Sequence, residues 1–220
     1  MSTPFQIVVC GSFVPDPLQT LEPVAGPAGP SLKNEMMLPA VLDPWAGHAL
    51  FEAANLARKT PGSKVWLVSL GAKAKLQQVM MTVAQKVSFE LVPVDGPIGG
   101  FTDAHTTASA LAETIAQLPG LDRNRLLLFG GWESATRGAG VTLQLIGERL
   151  GITDQFQGVD QIDPRDDGGG ICFHASFRCR TRAVRVLAPV RALVGSSRSV
   201  QAQAPTPAHK DRVGEERADQ

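Results

Sequence analysis

Hydrophobic residues along the chain follow two patterns, short continuous runs and longer segments in which they recur at helical spacing. The short runs are rich in leucine or β-branched residues and are bounded by glycine, proline or charged residues, as is typical of strands buried in a parallel sheet. Four strands are therefore predicted, at Gln6 to Gly11, Lys64 to Leu70, Phe89 to Val94 and Arg125 to Gly130.

Between and after these strands, apolar residues recur at positions i, i+3, i+4 and i+7, which predicts amphipathic helices. The apolar stripes run from Ala46 to Ala57, Leu76 to Val87, Ala108 to Ile115 and Leu143 to Leu150. Strands that alternate with helices of this length favour right-handed βαβ crossovers. We therefore expect an α/β fold, a Rossmann-like parallel sheet with helices on both faces.

Two stretches depart from this alternation. Seven prolines lie between Ser12 and Pro44, so we expect a long and irregular connection after the first strand, and loops of this length are usually functional or disordered. No acidic residue occurs between Asp167 and Asp211, whereas arginines are frequent there. This composition predicts an irregular basic C-terminal tail outside the core, partly disordered. The expected division is a domain at 1–195 and a polar tail at 196–220.

The composition of the chain limits the classes of partner and the cellular compartment that we expect. The formal net charge is zero, so no overall field attracts the chain to nucleic acid. No run of about 18 apolar residues is present, which excludes a membrane-spanning helix. Three cysteines lie far apart in the sequence, which suits a reducing compartment better than a disulfide framework. The first residues also lack the basic and apolar regions of a signal peptide, and a cytoplasmic protein is expected.

Candidate ligand chemistry lies at the ends of the predicted strands, because open parallel sheets bind ligands beyond the carboxyl ends of their strands. Three such ends offer glycine and free backbone N–H groups, at Cys10 to Ser12, Ser69 to Gly71 and Gly130 to Thr142. The third is the best anion site, since its glycines lead into a helix and Thr136 and Arg137 add a hydroxyl and a guanidinium. An ordinary tight turn between strand and helix is the alternative for each. Neither GxGxxG nor GxxxxGK[ST] occurs.

The start of the first predicted helix carries a further candidate group. Asp43 and Pro44 form a favourable helix start, with a carboxylate at the N-cap and proline at the first helical position. Capping alone accounts for both residues. Trp45 follows them, and its ring either stacks on a ring-shaped ligand or packs the helix onto the sheet.

Five segments in this order match the marks of one family. Ser12 to Pro17 reads S-F-V-P-D-P where the family has a K-R-V-P-D-P-like segment, and Asp43 to Ala54 follows its N-P-F-type helix start. Val68 to Ala72 corresponds to V-S-x-G-P, Leu128 to Gln144 to L-L-G-K-Q-A-x-D-x-D-x-x-Q-T-G-Q, and Val186 to Gly195 to a later strand. The chain thus resembles the β subunits of electron-transfer flavoproteins, the FixA-like family, over residues 6–195.

The resemblance implies a fold like that of the adenine-nucleotide alpha hydrolases, and a function. Family members form a heterodimer with an α subunit that holds most of a FAD, accept electrons from a primary flavin dehydrogenase and pass them to a quinone reductase or a similar acceptor. The β subunit holds AMP, or a second FAD in electron-bifurcating relatives, and supplies no catalytic residue, because electron transfer requires only a well-placed cofactor. Pro17 and Trp45 match positions near the α-subunit flavin. The implied cofactor-binding positions are Cys10, Asp43, Pro44, Trp45, Ala46, Leu70, Gly131, Thr136, Arg137, Gly138, Ala139, Gly140, Val141 and Thr142.

The sequence also departs from the family pattern. The family's Asn-Gln-Thr-Gly appears at Gly140 to Leu143 with only Thr142 retained, so two side-chain donors to a phosphate are missing. Ser12 and Phe13 replace a Lys-Arg pair, and Gly47 replaces an acidic residue. We therefore expect AMP to bind weakly or not at all. The family's C-terminal arm has no match after Gly195.

Other interpretations remain open at this point. The same order of elements suits a stand-alone adenine-nucleotide-binding module of the universal-stress-protein type, or a degenerate structural subunit that binds no nucleotide. Cys172, His174 and Cys179 suggest zinc but lack a fourth ligand. His48 and His105 are interpreted as surface or capping histidines, and Cys10 as a small apolar strand residue.

Overall fold

The computed structural model describes residues 4–27, 29–96, 102–135, 140–165, 170–177, 180–187 and 192–196. Its main feature is an eight-stranded sheet. In spatial order the strands are β11 (Arg180–Leu187), β10 (Gly170–Phe177), β9 (Asp154–Pro164), β12 (Ala192–Ser196), β8 (Leu126–Gly131), β1 (Gln6–Cys10), β6 (Lys64–Leu70) and β7 (Glu90–Val94). The six strands from β9 to β7 in this order run parallel to one another, and β10 and β11 extend one edge of the sheet by antiparallel pairing.

Helices cover both faces of the parallel strands. On one face α1 (Pro44–Lys59) and α2 (Lys73–Ala84) pack over Ile7 and Val9, and on the other α3 (Ala104–Ala116) and α4 (Thr142–Arg149) pack over Val8. Because side chains alternate between the two faces of a strand, the continuous apolar run of β1 fills both halves of the core. The predicted α/β class is confirmed, and the ends of the four predicted strands differ by one residue at most from those observed.

The strand order creates a crevice beside β1. From β1 the chain crosses through α1 to β6 on one side, whereas β8, reached through α3, lies on the other side. The crossovers therefore diverge between β1 and β8. In open α/β sheets, ligands bind at such a switch point, outside the carboxyl ends of the strands.

The connection between β1 and α1 is more regular than predicted. Its ends pair as β2 (Phe13–Pro15) and β5 (Ala40–Leu42), and between them lie a hairpin of β3 (Pro23–Gly26) and β4 (Gly29–Leu32) and a 3₁₀ turn at Glu35–Met37. The expectation of an irregular connection is wrong, since proline is tolerated at the ends and edges of strands. We call residues 16–39 the arm. None of its described residues is buried.

The expectation that the chain after Asp167 lies outside the core is also wrong. β10, β11 and β12 belong to the main sheet, and Ile171 and Phe173 of β10 are fully buried beneath α1. The excess of arginine obscured an alternation of apolar and polar residues that is typical of strands. The tail beyond Ser196 lies outside the described residues.

The contact between α1 and β9 is polar. His48, expected at the surface, is only 8% exposed, and its Nε2 lies 4.0 Å from Oε1 of Glu52. The other oxygen of Glu52 accepts a hydrogen bond from the backbone N–H of Ile162 at 3.3 Å. Two turns further on, the Lys59 ammonium pairs with the Asp163 carboxylate. The interpretation of His48 as a surface residue is therefore wrong, because its side chain is buried. His105 is exposed, as predicted.

Among the described helices, none combines the length and the apolar character that a membrane crossing requires.

Candidate functional site

A cleft opens at the carboxyl ends of β1, β6 and β8, at the switch point of the sheet. The volume open to the centres of water molecules is about 130 Å³, whereas one water requires about 10–15 Å³ on this measure. The cleft is thus much larger than a hydration site. Its lining brings together seven residues that the sequence placed near a nucleotide, namely Cys10, Asp43, Ala46, Leu70, Gly131, Gly140 and Thr142.

The remaining predicted residues do not line this cleft in the described structure. Pro44 is the first residue of α1, as predicted, and Trp45 packs against Trp132. Val141 lies in a shallow groove beside the cleft. The segment Thr136, Arg137, Gly138 and Ala139 falls outside the described residues.

Asp43 holds one wall of the cleft in place. Its Oδ1 accepts a hydrogen bond from the N–H of Trp45 at 3.0 Å, which is the predicted helix cap. Its Oδ2 accepts another from the N–H of Ala135 at 2.9 Å, so the carboxylate also fixes the loop after β8. Only 3% of Asp43 is exposed, and this burial raises the pKa of its carboxyl, against the opposing effect of the N–H donors. Both oxygens are engaged with the protein itself.

The glycines of the β8–α4 connection are required by close backbone approach. A Cβ at Gly140 would overlap the carbonyl oxygen of Trp132, so the two ends of the loop that they flank are in contact. A Cβ at Gly131 would lie 2.6 Å from the Cβ of Trp45. These positions accept no larger residue in the present geometry. Trp132 and Gly140, which flank this connection, therefore lie against each other, and Gly131 lies against the start of α1.

The start of α4 faces the same space. Gly140 and Thr142 line the cleft, and Val141, at the N-cap, provides no side-chain cap. Uncapped N–H groups and the positive end of the helix dipole favour an anionic group at this position. Deeper in the cleft, the lining is apolar, with Leu70 from β6 and Leu143 and Ile146 from α4. The cleft thus joins an apolar floor to an anion-favouring rim.

Cys10 ends β1 at the bottom of the cleft. Part of its surface faces the cleft, yet the surrounding protein is close enough for burial to raise the pKa of the thiol to about 12. A thiol with so high a pKa stays protonated near neutral pH and is a poor nucleophile. Cys10 therefore provides a small, soft surface for a ligand.

Sequence reasoning missed part of the lining. Thr102, just before α3, and Thr107 and Leu111 within it also line the cleft. Asp103 caps this helix, since its Oδ2 accepts a hydrogen bond from the N–H of Thr106 at 2.9 Å. An Asp three residues before a Thr at the beginning of an apolar stripe is a recognisable helix start, and it is the signal that would have indicated this part of the lining.

Two tryptophan rings pack on each other next to residues that line the cleft, since Trp45 adjoins Ala46 and Trp132 adjoins Gly131. The ring centroids of Trp45 and Trp132 are 6.4 Å apart, and the ring planes are tilted by 49°. Trp132 is 37% exposed. Trp45 therefore packs at the start of its helix and does not line the cleft.

Neither a protein-family model nor a curated protein matches this chain. The geometry of the site therefore stands as the main evidence on function.

The described residues limit the chemistry of the cleft. Within them, no group of three or more His, Cys, Asp or Glu side chains is placed to hold a metal ion. Asp43 is fully engaged by backbone donors and Cys10 carries a raised pKa. What the arrangement provides is a binding surface for a ligand that combines an apolar ring with an anionic group.

Proposed function

We propose that this chain is the β-type subunit of an electron-transfer flavoprotein, an electron carrier that works with a flavin-holding partner. One observation carries the proposal. Cys10, Asp43, Leu70, Gly131, Gly140 and Thr142, which the resemblance places near a nucleotide, come from four separate parts of the sequence and line a single cleft. The proposal requires this shared position, which the parallel sheet itself provides by bringing its strand ends together.

In this proposal the cleft holds AMP. Support comes from the switch-point position, the apolar floor at Leu70 and Leu143, and the uncapped start of α4. The residues present fit a nucleotide held by backbone N–H groups and by the Thr142 hydroxyl, as helix N-termini hold phosphates elsewhere. Because the family's additional side-chain donors are missing, we propose that the affinity is modest.

The arm and the tryptophan pair support a protein partner. Leu18 is 91% exposed and Met37 is 84% exposed, although both are large apolar side chains. The connection that carries the arm begins and ends at the cleft, because Ser12 and Asp43 line it and the N–H of Asp43 donates to the carbonyl oxygen of Ser12 at 2.9 Å. Apolar side chains exposed next to a ligand site favour a contact with another protein. We propose an α-type flavoprotein subunit as this partner.

The α-type partner would hold most of the FAD. In that arrangement Pro17 and Trp45 of this chain border the flavin, and the pair accepts electrons from a primary flavin dehydrogenase and delivers them to a quinone reductase or a similar acceptor. FAD supplies the electron-carrying chemistry. This chain would orient the partner, exclude water from the shared face and require no acid, base or nucleophile of its own.

Coexpression with an α-type subunit tests the proposal. We expect a yellow heterodimer whose visible spectrum is that of FAD, and release of AMP when the complex is denatured with acid. A yellow heterodimer without AMP would favour the degenerate structural subunit. A colourless homodimer that binds ATP would replace the proposal by a universal-stress-protein type of module.

A further inference from the structure

The hairpin of β3 and β4 in the arm has two outer edges that no third described strand covers, since these two strands form a sheet of their own. None of the described residues of the arm is buried. The backbone N–H and C=O groups along such an edge can pair with a strand of another molecule, so an exposed edge promotes self-association unless it is protected.

Charged side chains, which protect many exposed edges, do not occur in this hairpin. Residues 23–32 contain no lysine, arginine, aspartate or glutamate. The nearest charges are those of Glu22 and Lys33, which form an ion pair at its base, with 2.8 Å between Oε2 and Nζ. Proline also protects an edge, because it has no N–H to donate. Pro23 lies in β3 and Pro30 lies in β4.

The pairing of the two strands shows which way the backbone groups of both prolines point. The N–H of Lys33 donates to the carbonyl oxygen of Glu22 at 2.9 Å, so these two residues form a hydrogen-bonded pair. Hydrogen-bonded and non-hydrogen-bonded pairs alternate along an antiparallel ladder. The pairs that contain Pro23 and Pro30 lie one and three steps further along, so both are non-hydrogen-bonded. Their backbone groups therefore point outward, to the edges.

Each edge thus has one outward position that is occupied by proline. The outward positions are Pro23 and Ala25 on β3, and Pro30 and Leu32 on β4. A strand that paired with either edge would find one donor in place of two, and would meet a pyrrolidine ring at the other position. At an inward position the same proline would have removed a hydrogen bond of the hairpin itself. The prolines therefore weaken pairing with other molecules without weakening the hairpin.

We propose that Pro23 and Pro30 close both edges of the hairpin to strand addition by a second copy of this chain. A partner of the arm then contacts its side chains, such as Leu18 and Met37, and not its backbone edges. The inference concerns the chain by itself, so it holds or fails independently of the proposed function.

Sedimentation velocity of the full chain over a range of concentrations tests the inference. Pro23→Thr together with Pro30→Thr returns a donor to each edge, in a residue type that is common in strands. We expect this double variant to self-associate at concentrations at least about tenfold lower than the wild type, because every edge-to-edge contact gains hydrogen bonds. Pro27→Thr is the matched control, since Pro27 lies in the loop between the strands. It should behave as the wild type does.

Moving the proline along one edge provides a second test. Pro23→Thr alone opens the edge of β3 and should also increase self-association. Adding Ala25→Pro places a proline at the other outward position of the same edge, so this variant should return to the wild-type behaviour. Because no described residue of the arm is buried, the thermal unfolding midpoint should be the same in all variants, which separates edge pairing from association of unfolded chains.

Equal self-association of the double variant and of Pro27→Thr would overturn the inference, since the loss of any proline would then have the same effect. The inference also fails if the wild type self-associates as strongly as the double variant, or if Ala25→Pro does not reverse the effect of Pro23→Thr.

Discussion

The carboxylate of Asp43 connects the start of α1 to the loop after β8, because its Oδ2 accepts a 2.9 Å hydrogen bond from the N–H of Ala135. The residue that caps the helix therefore also determines the shape of the cleft rim. Its backbone takes part as well, since its N–H donates to the carbonyl oxygen of Ser12 and its carbonyl oxygen accepts from the N–H of Gly47. A helix cap alone would not require the contact with Ala135.

Replacement of Asp43 tests this double role. Asp43→Ala removes the cap, at about 1 kcal/mol, and removes the acceptor of the hydrogen bond from the N–H of Ala135, at about 0.5–1.5 kcal/mol because Ala135 is exposed and water can replace the acceptor. We expect the free energy of unfolding to fall by about 1–3 kcal/mol in urea titrations. Asp43→Asn keeps one acceptor oxygen and should lose less than Asp43→Ala. Equal stabilities of Asp43→Ala and the wild type would show that the bridge contributes nothing.

Gly140 and Gly47 provide a matched pair of glycine substitutions. Gly140→Ala places a Cβ on the carbonyl oxygen of Trp132, so the loop must open and the cleft rim must shift. We expect a loss of at least about 2 kcal/mol in stability, as for other overpacked sites, together with weaker adenylate binding.

The control lies within α1, where a Cβ at Gly47 would meet nothing within 4 Å. Because alanine is favoured over glycine inside a helix by roughly 0.5–1 kcal/mol, Gly47→Ala should stabilise the chain by about that amount. Thermal unfolding of the two variants should give shifts of opposite sign. Two shifts of the same sign would contradict the contact between Gly140 and Trp132.

The sequence predicted the parallel half of the fold because one strong signal governs it. Buried parallel strands require continuous apolar runs, and the helices that cover them require apolar stripes. β1, β6 and β8 could therefore be predicted from their own residues alone. The cleft followed from the glycines at strand ends and from the family resemblance. By contrast, β10 was not predicted. Its apolar residues Ile171 and Phe173 alternate with other residues as in a strand, but they lie within an arginine-rich stretch, and the positive charge of that stretch led to the prediction of a tail.

The residues that were missed depend on contacts between distant segments. Thr102 and Thr107 enter the cleft only because α3 crosses the sheet next to the switch point. His48 was interpreted as a surface or capping histidine, and its burial at 8% exposure depends on tertiary packing. Only the start of α3 had a local sequence signal, the cap at Asp103.

The arm offers a test of partner binding that is independent of the cleft. Leu18→Ser and Met37→Ser remove exposed apolar surface, so the stability of the isolated chain should change by less than about 0.5 kcal/mol. Association with the α-type subunit should weaken by about tenfold or more if these side chains are buried in the interface. Met81→Ser is the matched control, because Met81 on α2 is also exposed, at 72%. Equal effects of all three substitutions on association would exclude the arm as a specific contact.

Glu52 and Asp163 should show opposite dependence on pH, although both lie in the contact between α1 and β9. Burial raises the pKa of Glu52, so the folded chain holds this proton more tightly than the unfolded chain does. The stability that Glu52 contributes therefore increases as the pH falls through its folded-state pKa. The hydrogen bond from Lys59 lowers the pKa of Asp163, so its contribution is present above the unfolded value of about 3.9 and is lost as the pH falls through the folded value.

Urea titrations at several pH values measure this difference. As the pH falls from about 6 toward 4.5, the free energy of unfolding of the wild type should rise relative to that of Glu52→Gln, because the pKa of Glu52 is raised by burial. The free energy of unfolding of the wild type should exceed that of Asp163→Asn by less than about 1 kcal/mol, because the ion pair of Lys59 and Asp163 is partly exposed. This difference should decrease only below about pH 4. If both differences fell together with falling pH, the burial of Glu52 against β9 would be wrong, since an exposed Glu52 paired with its basic neighbours would lose stability in acid as Asp163 does.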